Sequence, residues 1–232
     1  MTDSDAGPVF LVDVDNTLFD NDQLILDLMS HIESEYDAAS RERYTAILES
    51  VRATLGYVDY LGALQQYRLE HLDDPRLLEM SSFLVDYPFA SRLFPGALAV
   101  LRHLGQLGTT VILSDGDVVF QPRKIQRSGL WEAVGGRVLI YIHKEQMLAA
   151  VERRYPARRY VMIDDKVRIL HAFKSAWGRR VTTVFPRQGH YAHDAALVAS
   201  VPPPDASVER IAELLHLRPG PAGLEPIDPL RT

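Results

Sequence analysis

Short runs of consecutive hydrophobic residues recur along the chain, separated by segments that have the periodicity of helices. A hydrophobic run without polar alternation is typical of a strand that is buried on both faces of a parallel sheet. Strands that alternate with helices in this way predict a doubly wound, Rossmann-like α/β sheet. The predicted strands cover residues 9–12, 110–113, 138–142, 160–163 and 181–184.

Residues 20–92 interrupt this alternation, because the segment shows helical periodicity and no convincing strand. Its hydrophobic residues form four faces and predict four helices, the second of which is closed by Gly56. We therefore predict an α/β catalytic core of residues 1–19 and 93–232 and an α-helical cap of residues 20–92. A cap that opens and closes over a site needs hinges, which we expect at the two crossings near Asp20 and Arg92.

The C-terminal part of the chain, from about residue 201, has a different composition. Seven of the 14 prolines lie between Val201 and Thr232. Residues 207–217 predict one more helix, with Ser207 as its N-cap and Glu209 in its first turn. Residues 218–232 predict an extended tail.

Composition and charge exclude several classes of function. The 31 acidic and 25 basic residues leave a formal net charge of −6, which gives no general attraction to nucleic acids or to anionic membranes. The chain has no cysteine, so thiol catalysis and thiolate metal sites are excluded, and a reducing compartment is favoured. No hydrophobic run is long enough to span a membrane, and the N-terminus does not read as a signal peptide. We expect a cytoplasmic protein, and the sequence makes no prediction of its oligomeric state.

Polar side chains follow four of the predicted strands, at the edge where open α/β sheets bind ligands. Asp13 and Asp15 follow the first strand, Ser114 the second, Lys144 the third, and Asp164 and Asp165 the fourth. Taken singly, each is typical of a turn or a helix cap. Together, four carboxylates at one edge repel each other strongly unless a cation or a proton offsets them, and oxygen ligands without histidine or cysteine favour Mg²⁺ as that cation. A serine and a lysine beside that ion would neutralise a phosphoryl group.

The same residues resemble the four motifs of the haloacid dehalogenase (HAD) superfamily. The run from Val9 to Phe19, VFLVDVDNTLF, resembles the first motif, and Ser114, at the end of VILS, resembles the second. Lys144 resembles the third, and Ile163-Asp164-Asp165 resembles the fourth. The resemblance covers roughly residues 9–185, and the position of the helical insert resembles the C1-type cap of phosphatase members.

The resemblance implies a role for each residue. Asp13 would be the nucleophile and a metal ligand, while Asp15 would act as general acid and base and bind the metal through its backbone carbonyl. Ser114 and Lys144 would hold the phosphoryl oxygens, and Thr17 would support this phosphate-binding loop. Asp165 would be the main metal ligand of the fourth motif, and Asp164 a neighbouring or alternate one.

The sequence departs from the family pattern at two places. Lys144 is not followed by the proline found in many members, so Lys124 is an alternative phosphate-binding lysine and Lys166 a more distant one. Many members carry another acid four residues beyond the metal ligand, where this chain has Ile169. Asp117 or Asp164 would then take its place around the metal.

Asp15 favours one reaction class within the family. The dehalogenases lack an acid at this point, because a leaving halide needs no proton, whereas an alkoxide benefits from general acid catalysis. We therefore predict a Mg²⁺-dependent phosphatase that acts through an aspartyl-phosphate on a small phosphorylated metabolite. A phosphomutase or dehalogenase of the same superfamily, and a catalytically silent binding or scaffold protein, are the alternatives. A receiver-type signalling module fits less well, because it has no counterpart to a 73-residue helical insert.

The sequence does not determine which residues contact the substrate. Basic side chains of the predicted cap could bind an anionic substrate or could simply be solvated. Tyr57 and Tyr60 could line the cleft or pack in the cap, and the loop with His190, Tyr191 and His193 could approach its rim. The basic candidates are His31, Arg41, Arg43, Arg52, Arg68 and His71.

Overall fold

A six-stranded sheet lies at the centre of the computed structural model, which describes residues 7–220 and 223–226. The strand order is β3-β2-β1-β4-β5-β6, and all five neighbouring pairs are parallel. The order reverses direction between β1 and β4, which confirms the doubly wound sheet. The strands are β1 (Val9–Val12), β2 (Thr109–Asp115), β3 (Val138–Tyr141), β4 (Tyr160–Ile163), β5 (Val181–Pro186) and β6 (Ala206–Val208).

Hydrophobic side chains cover both faces of the sheet. Successive side chains of a strand point to opposite faces, so Phe10 and Val12 join one buried cluster, and Val9 and Leu11 join the other. The predicted alternation of strands and helices is therefore confirmed. Seven α-helices accompany the core strands in the described residues: Ala97–Leu107, Phe120–Arg127, Leu130–Ala133, Leu148–Arg154, Val167–Trp177, Gly189–His193 and Ala195–Ala199, which we number α5 to α11.

The segment between β1 and α5 contains four α-helices and, within its described residues, no strand of the central sheet. These helices are α1 (Asn21–Glu35), α2 (Ala38–Leu55), α3 (Tyr60–Arg68) and α4 (Leu77–Val85). As predicted, Gly56 closes α2. It adopts the left-handed conformation at φ 82° and donates its N–H to the carbonyl of Arg52. The treatment of residues 20–92 as a separate cap domain stays a prediction.

The two chain crossings between this helical segment and the core lie side by side. The N–H of Asp20 donates to the carbonyl of Arg92 at 2.8 Å, and the N–H of Phe94 donates to the carbonyl of Leu18 at 2.9 Å. The Arg92 guanidinium also binds the Asp27 carboxylate on α1, which accepts the Tyr87 hydroxyl. Burial opposes ionisation of Asp27, but hydrogen bonds from Tyr87, Gln23 and Arg92 outweigh it and lower its pKa.

This network predicts a measurable loss of stability in Asp27→Asn. We expect the free energy of unfolding at pH 7 to fall by about 1–2 kcal/mol, because charged hydrogen bonds are lost. The pKa of Asp27 is lower in the folded protein than in the unfolded chain, where it is about 4. Its carboxylate therefore stabilises the fold fully above about pH 4, and this stabilisation is lost as the pH falls below that value. Urea denaturation at several pH values measures both effects. Arg41→Ala, which breaks an exposed pair with Glu33, is the control and should cost less. An equal loss in both variants would contradict the role of the network.

The predicted helix over residues 207–217 is wrong. Ser207 lies in β6, where Phe185 of β5 is its partner, so sheet pairing satisfies the backbone that an N-cap would begin to turn. The turn starts later, because the Glu213 carboxylate accepts the N–H of Arg210, and it is a 3₁₀-helix over Ile211–His216. The predicted extended tail begins as an antiparallel pair, β7 (Leu217–Gly220) with β8 (Gly223–Pro226).

Parts of the sequence-based predictions concern residues outside the described ranges. They include the end of the tail, residues 227–232, and most of the N-terminal segment over which a signal peptide was excluded, residues 1–6. Within the part of the chain that the structure describes, no helix is both long and apolar enough to cross a membrane.

Candidate active site

Three buried carboxylates meet where β1 and β4 end. The two strands pair in register, with Val12 beside Ile163, so Asp13 comes to lie next to Asp164 and Asp165. One carboxylate oxygen from each residue lies within 4.8 Å of the other two. All three side chains are buried. Three negative charges this close in a water-excluded site require a cation or protons.

Lys144 supplies one positive charge to this cluster. Its ammonium group is buried and forms an ion pair with Asp13 and a second one, at 2.7 Å, with Asp164. Its backbone N–H donates to the Asp115 carboxylate at 2.7 Å. Burial alone would lower the pKa of Lys144, but Asp13, Asp164 and Asp115 outweigh it and raise the pKa. Of the lysines proposed from the sequence, Lys144 is the one paired with Asp13.

Asp164 and Asp165 have different surroundings. Asp164 pairs with Lys144, and its Oδ1 also accepts the backbone N–H of Lys166 at 2.8 Å. In contrast, both carboxylate oxygens of Asp165, like Oδ2 of Asp13, are buried without a hydrogen-bond partner among the described residues. Burial raises the pKa of Asp165, and it raises that of Asp164 to about 6. Unpartnered carboxylate oxygens are what a hard divalent cation binds, so the residues fit Mg²⁺.

Thr17 and Ser114 are buried beside the cluster. The Thr17 hydroxyl accepts the backbone N–H of Asp165 at 3.1 Å, so it fixes the loop after β4 against the loop after β1. The Ser114 hydroxyl accepts an N–H of Gln121 at 2.9 Å. The structure therefore brings both residues to the predicted site, and their phosphate-binding role stays a prediction.

Asp15 is held by partners that the sequence did not assign to it. Its Oδ1 pairs with the Lys124 ammonium at 2.6 Å, and its Oδ2 accepts an N–H of Gln121 at 3.3 Å. Lys124 is buried and also donates to Asn21 at 3.0 Å. Gln121 and Lys124 are three residues apart on α6 and so share a face. The three-residue spacing of Gln121 and Lys124 predicts a shared polar face of the helix. The local sequence does not predict which carboxylate this face contacts.

A cavity of about 320 Å³ opens beside Asp15, between α1–α3 and the loops at the carboxyl edge of the sheet. The cavity is lined by Tyr57, Tyr60, His190 and Tyr191, for which the sequence had not decided between lining the cleft and packing elsewhere. The cavity lining also contains Asp15, Asn16, Asn21, Ile25, Arg52, Gly56, Val58, Asp115, Gly116, Asp117, Phe120, Gln121, Lys166, Val167, Arg168, Leu197 and Ser200.

Only one of the six basic candidates from the predicted cap lines this cavity, and it is Arg52. Arg41 and Arg43 form exposed pairs with glutamates. His31 stacks on Phe83 and His71 on Tyr67, each with ring centroids about 4 Å apart. Neither these four residues nor Arg68 lines the cavity.

The residues proposed to replace the missing outer acid also have defined partners. Ile169 is fully buried in the hydrophobic cluster on α9. Asp117 lines the cavity, and its carboxylate caps α6 by accepting the backbone N–H groups of Val119 and Phe120. Of these two acids, Asp164 belongs to the buried carboxylate cluster, whereas Asp117 caps α6.

Comparisons with known proteins agree with this arrangement. Residues 8–176 match the family described as haloacid dehalogenase-like hydrolases, and the chain belongs to this family. It is 64% identical to a haloacid dehalogenase-like hydrolase from Burkholderia xenovorans LB400 whose structure is solved. That match covers 90% of this chain and 95% of the other, with a TM-score of 0.86. No match is found among curated proteins.

More distant solved structures share the fold. A HAD hydrolase from Bacillus subtilis, bound to magnesium, is 15% identical over 91% of this chain and 98% of its own, with a TM-score of 0.62. The L-2-haloacid dehalogenase from Xanthobacter autotrophicus is 18% identical over 89% of this chain and 96% of its own, with a TM-score of 0.56. These likenesses concern the fold, which hosts more than one hydrolytic chemistry.

Proposed function

We propose that the protein is a Mg²⁺-dependent phosphatase that hydrolyses a small phosphomonoester through a phosphorylated Asp13. The observation that carries this proposal is Asp15, a second carboxylate two residues after Asp13 that lines the cavity. A carboxylic acid there can protonate a leaving alkoxide, whereas departure of a halide needs no proton. The family establishes a hydrolase, and Asp15 is the reason to favour phosphate esters.

The roles follow from the contacts of each side chain. Lys144 holds Oδ1 of Asp13 and leaves Oδ2 without a protein partner, which suits that oxygen for attack or for metal binding. Asp13, Asp165 and the backbone carbonyl of Asp15 would hold Mg²⁺, with Asp164 beside them. The bound ion would neutralise charge on the phosphoryl group. Lys144 and Ser114 would hold phosphoryl oxygens, with Thr17 fixing the loop.

Asp15 then acts twice on the same face of the phosphoryl group. In its protonated form, which the second step regenerates, it gives a proton to the leaving oxygen while Asp13 becomes phosphorylated. It next takes a proton from the water that attacks phosphorus and releases Asp13. Lys124 and Gln121 orient its carboxylate toward the cavity, where the leaving group would lie.

An assay with two substrate classes tests the proposal. We expect release of phosphate from small phosphate esters in the presence of Mg²⁺, its loss on chelation, and no release of halide from 2-haloacids. Heavy-oxygen water adds a separate readout. Attack of water on phosphorus places solvent oxygen in the released phosphate, while hydrolysis of an Asp13 ester formed from a haloacid would place it in Asp13. Halide release with labelled Asp13 would establish the dehalogenase alternative. Transfer of the phosphoryl group to a second substrate hydroxyl would establish a phosphomutase, and no turnover of either class would favour a silent scaffold.

Asp165→Asn tests the metal site without an activity assay. We expect the metal-free variant to melt higher than wild type at pH 7, because it no longer buries an unpartnered carboxylate. Saturating Mg²⁺, at about 100 times its Kd, should stabilise wild type by about 2.7 kcal/mol and the variant far less. The pKa of Asp164, raised to about 6, also predicts that metal-free wild type loses stability as the pH rises from about 4 to about 6, and the raised pKa of Asp165 adds to this loss.

Asp117→Asn is the matched control for Asp165→Asn, because Asp117 caps α6 outside the buried cluster. It should respond to Mg²⁺ like wild type. Thermal unfolding monitored by circular dichroism, with and without Mg²⁺, makes the comparison. An unchanged Mg²⁺ response in Asp165→Asn would contradict the assignment of this ligand.

A further inference from the structure

The acidic residues that line the cavity already have partners. Asp15 pairs with Lys124, and Asp115 accepts the backbone N–H of Lys144. Asp117 accepts two backbone N–H groups at the start of α6. The Lys124 ammonium partly offsets the charge of Asp15, whereas the backbone N–H groups satisfy the oxygens of Asp115 and Asp117 without adding a positive charge.

Two basic residues of the lining, Arg52 and Lys166, lie beside Tyr191, whereas the other two, Arg168 and His190, pair with Glu145 and Asp22. The Arg52 guanidinium donates to the Tyr191 hydroxyl, a neutral group, and its acidic neighbour is Glu49, at 3.6 Å and largely exposed. The Lys166 ammonium lies 5.3 Å from the centroid of the Tyr191 ring. Lys166 is also close enough to Asp165, Asp13 and Asp164 for their charges to raise its pKa against the effect of burial, so its charge is partly offset. Arg52 of α2 and Lys166 of the loop after β4 thus flank Tyr191 of α10, and Arg52 has the weaker acidic partner of the two.

On the basis of the proposed function, we infer that Arg52 and Lys166, on either side of Tyr191, bind a carboxylate carried by the leaving group of the substrate. An arginine fork matches a carboxylate in shape and in hydrogen-bond direction. The substrate class would be the phosphate esters of small hydroxy acids.

The size and lining of the cavity support this substrate class. About 320 Å³ lies at the small end of the range of ligand pockets. Ile25, Val58 and Phe120 give the lining an apolar part that suits a short carbon skeleton. A single carboxylate also fits better than a second phosphate, because the larger charge would be repelled by Asp15, Asp115 and Asp117.

Because Arg52 lies on α2, binding of the substrate carboxylate would also affect the contact between α2 and the core. Arg52 belongs to the predicted cap, whereas Tyr191 and Lys166 belong to the core. A carboxylate bound between them adds ionic contacts to the bond that joins Arg52 to Tyr191. Binding of the substrate would therefore hold α2 against the core and close the cavity around the phosphoryl group.

Two esters that differ in this one group provide the test. The full-length protein with Mg²⁺ is assayed for phosphate release from 3-phosphoglycerate and from glycerol 3-phosphate, which carries an alcohol in place of the carboxylate. We expect kcat/KM to favour 3-phosphoglycerate by roughly 10–100-fold, mainly through KM. Arg52→Met should reduce this ratio to near one, and Arg52→Lys should restore part of it because it keeps the charge.

Two further variants separate binding from structure. Arg41→Met is the matched control, since Arg41 is a basic residue of the same helix that pairs with Glu33 outside the cavity, and it should keep the wild-type ratio. Tyr191→Phe removes the hydroxyl that positions Arg52 and should raise KM for 3-phosphoglycerate more than for glycerol 3-phosphate. Melting temperatures establish that each variant is folded.

The outcomes distinguish this inference from the proposed function. Equal kcat/KM for the two esters in wild type, with phosphate released from both, overturns the carboxylate site and leaves the phosphatase standing. An equal loss on both esters in Arg52→Met also overturns it, because a purely structural role would act on both. Failure of wild type to release phosphate from either ester overturns the carboxylate site, and failure on an aryl phosphate with Mg²⁺ as well overturns the phosphatase.

Discussion

Asp13→Asn is expected to lower kcat for Mg²⁺-dependent phosphate release by at least about 10⁴-fold, the scale on which removal of a nucleophile acts. An amide keeps the shape of the side chain but cannot attack phosphorus at a useful rate. It also weakens the contact with Lys144, whose ammonium pairs with the Asp13 carboxylate. Steady-state kinetics on an aryl phosphate measures the effect without dependence on the natural substrate.

A matched control separates this loss from a general effect of replacing aspartate with asparagine. Asp194 caps α11 through two backbone N–H groups and is exposed, so Asp194→Asn should keep wild-type turnover. Circular dichroism and melting curves show whether Asp13→Asn is folded. If folded Asp13→Asn turned over substrate at a rate within tenfold of wild type, the assignment of Asp13 as the nucleophile would be contradicted.

Asp15→Asn is expected to have an effect that depends on the leaving group. General acid–base catalysis contributes roughly 10²–10⁴-fold, so hydrolysis of an alkyl phosphate should slow by that factor. Formation of the phosphorylated enzyme from an aryl phosphate should slow much less, because a phenolate leaves without a full proton transfer. Dephosphorylation uses the same base for both substrates, so the variant should show a burst of phenol followed by a slow steady state.

Pre-steady-state measurements of phenol release check this pattern. Lys124→Met is the useful comparison, because it leaves the Asp15 carboxylate in place without the ammonium that holds it at 2.6 Å. We expect it to slow both steps by a smaller factor than Asp15→Asn. If Asp15→Asn slowed the phosphorylation of Asp13 by the same factor with alkyl and aryl phosphates, this would argue against a proton transfer from residue 15 to the leaving group.

The fold was predictable from the sequence where burial decides it. The five predicted strands consist mainly of hydrophobic residues because the sheet is covered on both faces, and the structure confirms each of them, although the edge strand β3 is only half-buried. Gly56 was predictable as a helix end because a left-handed residue is needed there. Ser207 was misread because a serine before a helical pattern also fits a short edge strand, and only its pairing with β5 decides between the two.

The sequence predicted which residues the structure brings together at the end of the sheet, but not their contacts, and the roles of these residues stay predictions. Each of the first four predicted strands ends near one of these residues, which are Asp13, Ser114, Lys144 and Asp165. Parallel strands bring such ends together at one edge of the sheet. The partner of Lys124 depends on how α6 packs over the loop after β1, which no local spacing encodes. Arg52 could not be chosen from the six basic candidates for the same reason, since only the packing of α2 against α10 brings it into the cavity.

Detection of the phosphoryl group on Asp13 tests the central claim most directly. Asp15→Asn is mixed with an aryl phosphate labelled in its phosphoryl group and Mg²⁺, quenched in acid during the burst, and digested for peptide mapping. The label is predicted on the peptide that contains Asp13, in an amount that approaches one per active site, and it should disappear during a chase with unlabelled substrate. A phenol burst without protein-bound label, or label on any other residue, would contradict the mechanism.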